Sequence, residues 1–213
     1  MEKIAITAVI SYLLGSIPNA YLIPKLFYKT NIMEHGSKNA GATNVFRTLG
    51  TFPFALTLAL DVAKGMAAVL ITAKLYNDFP YLLIVTAISA LLGHTFSFWI
   101  KFKGGKGVAT GLGVFIAISP KSTLTAMAVF YAVLFATRMV SASSIAAALC
   151  LPVAVYFYQE QSILSTHFAV FSALAAAFVI YKHKENIKRI RAGTESKLPM
   201  FTQASTRKEE NEE

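Results

Sequence analysis

Runs of about twenty apolar residues, such as "YLLIVTAISALLGHTFSFWI" (81–100), recur along this 213-residue chain and limit its fold more than any other feature. A helix of that length crosses a hydrocarbon layer ~30 Å thick. Loops and isolated strands in lipid would leave backbone polar groups without partners. Hydrophobic residues make up 55% of the sequence and charged residues 15%, short of the roughly one-quarter charge of a soluble domain. The chain is therefore expected to be an all-α integral membrane protein. About seven transmembrane helices are expected, at approximately 4–24, 53–75, 80–100, 107–119, 121–138, 143–159 and 163–181. The fourth is too short for an assured full span and reads as a helix that starts inside the protein. Residues 1–195 contain no linker-like stretch and are expected to form one domain. The polar segment 196–213 is expected to be a disordered tail.

The net charge is +9. In a soluble protein that would point to nucleic acid, but no RNP, zinc-finger or basic-helix pattern is present. Membrane proteins gather Lys and Arg in cytoplasmic loops, and here the bases segregate to one side. Lys25, Lys29, Lys38 and Arg47 follow the first helix, and Lys101, Lys103 and Lys106 follow the third. Arg138 ends the fifth, and Lys182, Lys184, Lys188, Arg189 and Arg191 follow the seventh. The opposite side has Lys3, Lys74 and Lys121. The N-terminus is thus expected outside and the C-terminus in the cytoplasm. The one cysteine, Cys150, lies in an apolar run and offers neither a disulfide nor a thiol metal site.

With this orientation every unusual loop falls on the cytoplasmic side. The first, "NIMEHGSKNAGATNVFRTLG" (31–50), is longer than ordinary connections and rich in Gly, Asn, Ser and Thr. The second contains "KFKGGKG" (101–107). Its spacing is not that of a nucleotide P-loop, and no strand precedes it. Gly104 and Gly105 would let the backbone approach a phosphate, with Lys103 or Lys106 supplying charge; the other reading is a flexible turn carrying ordinary cytoplasmic lysines. Arg47 can bind phosphate oxygens in a bidentate way, or it can be a snorkelling arginine at the start of the second helix. "RMVSASS" (138–144) and "YKHKENIKRIRAGTE" (181–195) complete the polar set.

Asp61 and Lys64 share a face of the second helix at i,i+3. Unpaired, each would cost about 2.5–3.5 kcal/mol at a helix centre, so a buried structural pair supporting the site is expected. His94 and His183 read either as general bases or as hydrogen-bonded structural residues. His183 shares its helical face with Asn186. No nucleophile elbow and no H-E-x-x-H spacing occurs. A reaction here is expected to need no metal, no cofactor and no nucleophilic serine, which points to a substrate already activated for transfer.

These loops, with "GSIP" (15–18), "GSKNAGATNVFR" (36–47), "DVAKG" (61–65), "GHTFSFWIKFKGGKGVAT" (93–110), "SASS" (141–144) and "HKENIKRIRAGTE" (183–195), resemble the bacterial acyl-phosphate-dependent glycerol-3-phosphate acyltransferases, the PlsY family. The resemblance runs from the first helix to about Glu195. It implies seven transmembrane helices in the bacterial inner (plasma) membrane, with the active site facing the cytoplasm. The implied reaction moves a fatty acyl group from acyl phosphate to the 1-hydroxyl of glycerol 3-phosphate, giving lysophosphatidate and phosphate. Membrane lipid and a soluble acyl-phosphate synthase that supplies the donor are the implied partners. It also implies that Ser37, Arg47 and Lys106 bind the two phosphates, helped by the backbone of Gly104 and Gly105. Asn39, Thr43 and Asn44 would shape the first-loop part of the site, and Ser143 or Ser144, His183 and Asn186 would close it.

The sequence departs from the family pattern in three places. Asn31-Ile32-Met33 stands where Asp-x-Arg is usual, which removes an ion pair. Ser97 stands where a proline is usual, and Lys182 where an arginine is frequent. The competing function is a membrane transporter of an organic phosphate. It predicts polar residues along a through-path, yet the outer halves of the helices are nearly all apolar.

Overall fold

The computed structural model describes residues 1–158 and 163–198; the rest of the predicted tail, from 199 onward, lies outside the described residues. Among the described residues there are ten α-helices and no strand. The helices are α1 (Glu2–Ser16), α2 (Asn19–Tyr28), α3 (Ala42–Leu49), α4 (Thr51–Leu75), α5 (Tyr81–Thr95), α6 (Val108–Ile118), α7 (Pro120–Thr137), α8 (Val140–Tyr158), α9 (Ile163–Lys182) and α10 (Lys184–Arg191). Each of the seven apolar stretches is helical. Four are long and apolar enough to cross a membrane: Glu2–Tyr28, Thr51–Leu75, Tyr81–Ile100 and Val140–Tyr158. At ~1.5 Å per residue, α6 with its 11 residues reaches only about half the ~30 Å hydrocarbon thickness.

The first stretch is not one helix over 4–24 but two. Pro18 has no N–H to donate and its ring disfavours a continuous helix, so the chain breaks at Ile17-Pro18. The exposed carbonyls need partners in a water-poor interior. Ser97 Oγ donates to the Ser16 carbonyl at 2.5 Å, and Lys64 Nζ donates to the Ile17 carbonyl at 2.7 Å.

The most extensive helix pairs are α1 with α5, α7 with α8 and α4 with α6. A Cβ on Gly15 would lie 2.2 Å from the Ala90 carbonyl oxygen, and one on Gly113 would lie 1.9 Å from that of Val62. Small residues let backbones meet where lipid gives no hydrophobic drive between helices. The large apolar side chains point outward instead: Phe135 is 77% exposed and Phe157 75%. A soluble fold could not leave such rings in water. Beneath the bundle's polar end, Val114, Phe115, Val155, Phe168 and Phe171 form a packed core.

The long first loop contains α3, a helix of eight residues, too short to show a period in the sequence. Val45 is fully buried with Ile32 and Ala20. Gly50, at φ 87°, ends α3 and leads directly into α4.

Candidate active site

The first loop is organised around Asn44. Its Oδ1 accepts the Ser37 amide at 2.8 Å, and its Nδ2 donates to the carbonyls of Ile32 and His35, both at 3.0 Å. Asn31 adds a turn in which its Oδ1 accepts the Met33 amide at 3.2 Å, while its Nδ2 donates to Glu34 Oε1. A charged Asp-x-Arg pair is thus replaced by amide hydrogen bonds. Ser37, Asn39, Thr43 and Arg47 project from this frame onto a single cavity.

After α5 the chain turns through a short 3-10 segment, Phe98–Ile100, with Lys101 and Phe102 in left-handed backbone conformations. Here the structure corrects the expectation for the glycines. The Gly104 amide donates to the Thr95 carbonyl at 3.1 Å, and that of Gly105 to the His94 carbonyl at 3.2 Å. Neither amide is free for a phosphate. What the glycines provide is close packing: a Cβ on Gly104 would sit 2.0 Å from the His94 carbonyl oxygen, and one on Gly105 2.3 Å from His94 Nε2. The hairpin is therefore pinned to the end of α5, and its purpose is to present Lys106. Lys103 is exposed and lies outside the cavity lining.

Lys106 donates to Asn186 Oδ1. Burial, and then the nearby cations Arg189, Arg47 and Lys182, lower its pKa to about 8, although Glu195 pulls the other way. His183 Nδ1 donates to the Val179 carbonyl at 2.7 Å. A carbonyl only accepts, so Nδ1 carries the proton and Nε2 keeps a lone pair. Burial, followed by the Lys106 charge, lowers the His183 pKa to about 4. The ring is neutral at pH 7.

Glu195 and Arg189 belong to this cluster and were missed in the sequence as site residues. The Glu195 side chain is 1% exposed. Its Oε1 accepts from Ser141 Oγ and from Asn186 Nδ2, both at 2.7 Å. Its Oε2 accepts from Arg189 Nε at 2.7 Å, and Arg47 Nη2 lies 4.0 Å from Oε1. Burial alone would raise its pKa, but the bonds from Asn186, Ser141 and Arg189 outweigh it and the net shift is downward. An acid closing a run of bases was the available signal. Among the serines, Ser141 and Ser144 line the cavity; Ser143 does not, and its hydroxyl donates to the Met139 carbonyl. Helical spacing separates them, since 141 and 144 share a face that 143 does not.

The intramembrane pair lies at the wall of the cavity, which Asp61 lines and Lys64 does not. Lys64 Nζ is 2.7 Å from Asp61 Oδ1, which also accepts from Asn19 Nδ2 at 3.0 Å. His94 Nδ1 hydrogen-bonds Thr110 Oγ1 at 3.0 Å and lies 3.9 Å from Asp61. This knot fastens α2, α4, α5 and α6 together beneath Lys106.

The cavity measures about 510 Å³. Its mouth holds Ser37, Asn44, Arg47, Lys106, Ser141, His183 and Asn186, and the rest of the lining is mostly apolar, with Leu112, Phe115, Ala126, Ala148 and Leu151, although Asp61, His94 and Thr123 also reach it. A cationic mouth above an apolar channel suits an amphiphile with an anionic head.

The glycerol-3-phosphate acyltransferase family profile matches residues 5–193. The chain belongs to this family. A glycerol-3-phosphate acyltransferase of Thermosynechococcus vestitus is 41% identical over 204 residues, covering 92% of this chain and 95% of its own. That of Geotalea daltonii is 46% identical over 187 residues, covering 87% and 93%. The crystal structure of PlsY, an integral membrane glycerol 3-phosphate acyltransferase, in its glycerol 3-phosphate form matches with a TM-score of 0.85 at 34% identity. That match covers 92% of this chain and 96% of the other. The lysophosphatidic acid form of PlsY matches with a TM-score of 0.83, also at 34% identity, over 92% and 95%. The acyltransferase fold thus brings together Ser37, Arg47, Lys106, Ser144, His183 and Asn186 at one mouth. Asp61 and His94 also line this cavity, whereas Gly104, Gly105 and Lys64 stand outside its lining.

Proposed function

We propose that this membrane enzyme transfers a fatty acyl group from acyl phosphate to the 1-hydroxyl of sn-glycerol 3-phosphate. The products are 1-acyl-glycerol 3-phosphate and inorganic phosphate, in the first acylation of phospholipid synthesis. The observation that carries this reading is the single cavity in which Arg47 and Lys106 head an apolar channel. Relatives named glycerol-3-phosphate acyltransferases, and a similar structure with glycerol 3-phosphate and lysophosphatidic acid forms, support it.

Acyl phosphate is a mixed anhydride and brings its own leaving group. The glycerol hydroxyl oxygen attacks the acyl carbon, and the bond from that carbon to the phosphate oxygen breaks. Arg47 and Lys106 hold two anionic substrates together and offset the charge on the departing phosphate. Ser37 and Asn186 orient them. The proton of the hydroxyl passes to a substrate phosphate oxygen. A phosphate monoester, with a second pKa of ~6, is a stronger base than His183 at about 4. His183 Nε2 then serves to orient the hydroxyl.

In this reading the enzyme spans the bacterial inner membrane seven times with its N-terminus outside, and a soluble acyl-phosphate synthase supplies the donor; the one-sided distribution of basic residues supports a cytoplasmic site. Purified protein given acyl phosphate and labelled glycerol 3-phosphate should form lysophosphatidate and phosphate in equal amounts. Absence of lysophosphatidate would end this reading. Equal rates with acyl-CoA would end the choice of donor.

A further inference from the structure

The apolar part of the cavity has a defined width and a defined end. Its width comes from alanines where neighbouring helices would otherwise fill the space: Ala126 on α7, Ala148 on α8 and Ala175 on α9 all line it. On α8 the lining positions Ser144, Ala147, Ala148 and Leu151 follow i, i+3, i+4 and i+7, so one helix face forms a continuous wall. Counted along each helix away from the mouth, the last lining residues are Phe115 of α6, Thr123 of α7 and Leu151 of α8. Phe115 and Thr123 are both 3% exposed. They do not yield easily. Phe115 stacks on Phe171 with ring centroids 5.6 Å apart at 16°, and Thr123 Oγ1 donates to the Ser119 carbonyl at 2.9 Å. Beyond them the packed core of Val155, Phe168 and Phe171 continues.

We propose that Phe115, Thr123 and Leu151 form the floor of the acyl channel and set the longest acyl chain the enzyme takes. The assignment rests on the acyl-transfer reading above. From Ser141 at the mouth to Leu151 at the floor, α8 advances ten residues, or ~15 Å at ~1.5 Å each. An extended chain covers about 1.2 Å per bond, as the extended peptide does over its three bonds per residue. The channel therefore holds an acyl chain of about 12–14 carbons with its carbonyl beside Lys106. Ala148 lies seven residues below Ser141, at ~10 Å, which corresponds to about nine carbons.

The test measures kcat/KM for saturated acyl phosphates from C8 to C18, with labelled glycerol 3-phosphate, for wild type, Ala148→Phe and Phe115→Ala. Ala148→Phe should raise the floor and lower the C14-to-C10 ratio by about tenfold or more. Exclusion of even two of the four methylenes that separate C14 from C10, at about 0.8 kcal/mol each, corresponds to ~15-fold. Phe115→Ala should deepen the channel and raise the C18-to-C14 ratio by a similar factor. Ratios within one preparation do not depend on how much protein folded. If Ala148→Phe yields no folded enzyme, Phe115→Ala decides alone, because it shifts the profile in the opposite direction. Wild-type ratios in the variants, or an equal loss at every length, would overturn the floor assignment. A wild-type enzyme inactive with every donor would overturn the acyl-transfer reading instead, and the floor with it.

Discussion

Replacing Lys106 by methionine keeps most of the side chain's reach and removes its charge. A lysine ammonium has three donors. One is committed to Asn186 Oδ1, which leaves two for phosphate oxygens. Hydrogen bonds to charged groups contribute about 1.5–3 kcal/mol each, so losing two costs ~3–6 kcal/mol, or ~10²–10⁴ in kcat/KM. Stability should move the other way. Burial and the neighbouring Arg189, Arg47 and Lys182 hold the Lys106 pKa down to about 8, so its charge is less favourable in the folded protein than in the unfolded chain. Lys106→Met should therefore keep or raise Tm while activity collapses. The assay is lysophosphatidate formation at fixed acyl phosphate, paired with thermal unfolding in the same detergent. An activity loss that comes with a fall in Tm of several degrees would assign Lys106 to structure. A kcat/KM within about threefold of wild type would refute the charge argument altogether.

The pH profile tests the proton acceptor. With a phosphate oxygen as base, kcat should fall on the acid side near pH ~6, and that limb should persist in His183→Gln; a limb near 4 that disappears in the variant would give the role to His183. On the alkaline side the Lys106 ammonium is lost as pH rises through about 8, so kcat/KM should fall there, and Lys106→Arg should move this limb upward. Glu195→Gln breaks the junction of Ser141, Asn186 and Arg189 and should cost about 2–3 kcal/mol, read as a lower Tm. Because its folded pKa is depressed, Glu195 contributes stability above its unfolded value of ~4.3 and loses it as pH falls through the lower folded value; the variant should lack that acid-side loss. Gly104→Ala places a Cβ 2.0 Å from the His94 carbonyl oxygen and should displace the hairpin, raising KM for glycerol 3-phosphate more than about tenfold. Unchanged kinetics there would show that the hairpin does not position Lys106.

The apolar helices were legible because hydropathy over twenty residues is a local signal, and so was the gathering of polar loops at one end, because basic residues report orientation. The break at Ile17-Pro18 could be suspected from the proline. The groups that make it tolerable could not, since Lys64 and Ser97 come from α4 and from the turn after α5. Helix α3 escaped notice because its eight residues make only about two turns, too few for a hydrophobic period to show; burial of Asn44 and Val45 shows which face it uses. The glycines of the hairpin were assigned to a ligand when their amides in fact meet α5. A Gly-Gly pair reads the same in sequence whether a phosphate or another backbone comes close. Glu195 was hidden for the opposite reason. Its four partners lie on α3, α8 and α10, and a carboxylate beside several bases looks like an exposed charge run until the fold buries it.

The three departures from the family pattern all fall at joints rather than at the mouth, and two of them have visible compensation. Asn31 replaces a charge with a side-chain amide that closes a turn on Met33 and reaches Glu34. Ile32 between them is fully buried against Val45, so apolar packing secures what an ion pair would otherwise hold. Such a joint owes little to charge and should be insensitive to salt, since screening weakens ion pairs but not packing. Ser97 gives up the rigidity of a proline, and its hydroxyl satisfies the Ser16 carbonyl that the break in α1–α2 exposes. Lys182 places its ammonium 5.1 Å from the centre of the Phe96 ring, a contact that an arginine could also make. The changes at Asn31 and Ser97 exchange one means of holding a loop for another, while Arg47, Lys106, His183 and Asn186 all line the cavity. The site tolerates variation in how its frame is fastened because the frame's task is geometric. On the proposed reading the charges at the mouth have no such latitude, because a phosphate would have to meet them directly.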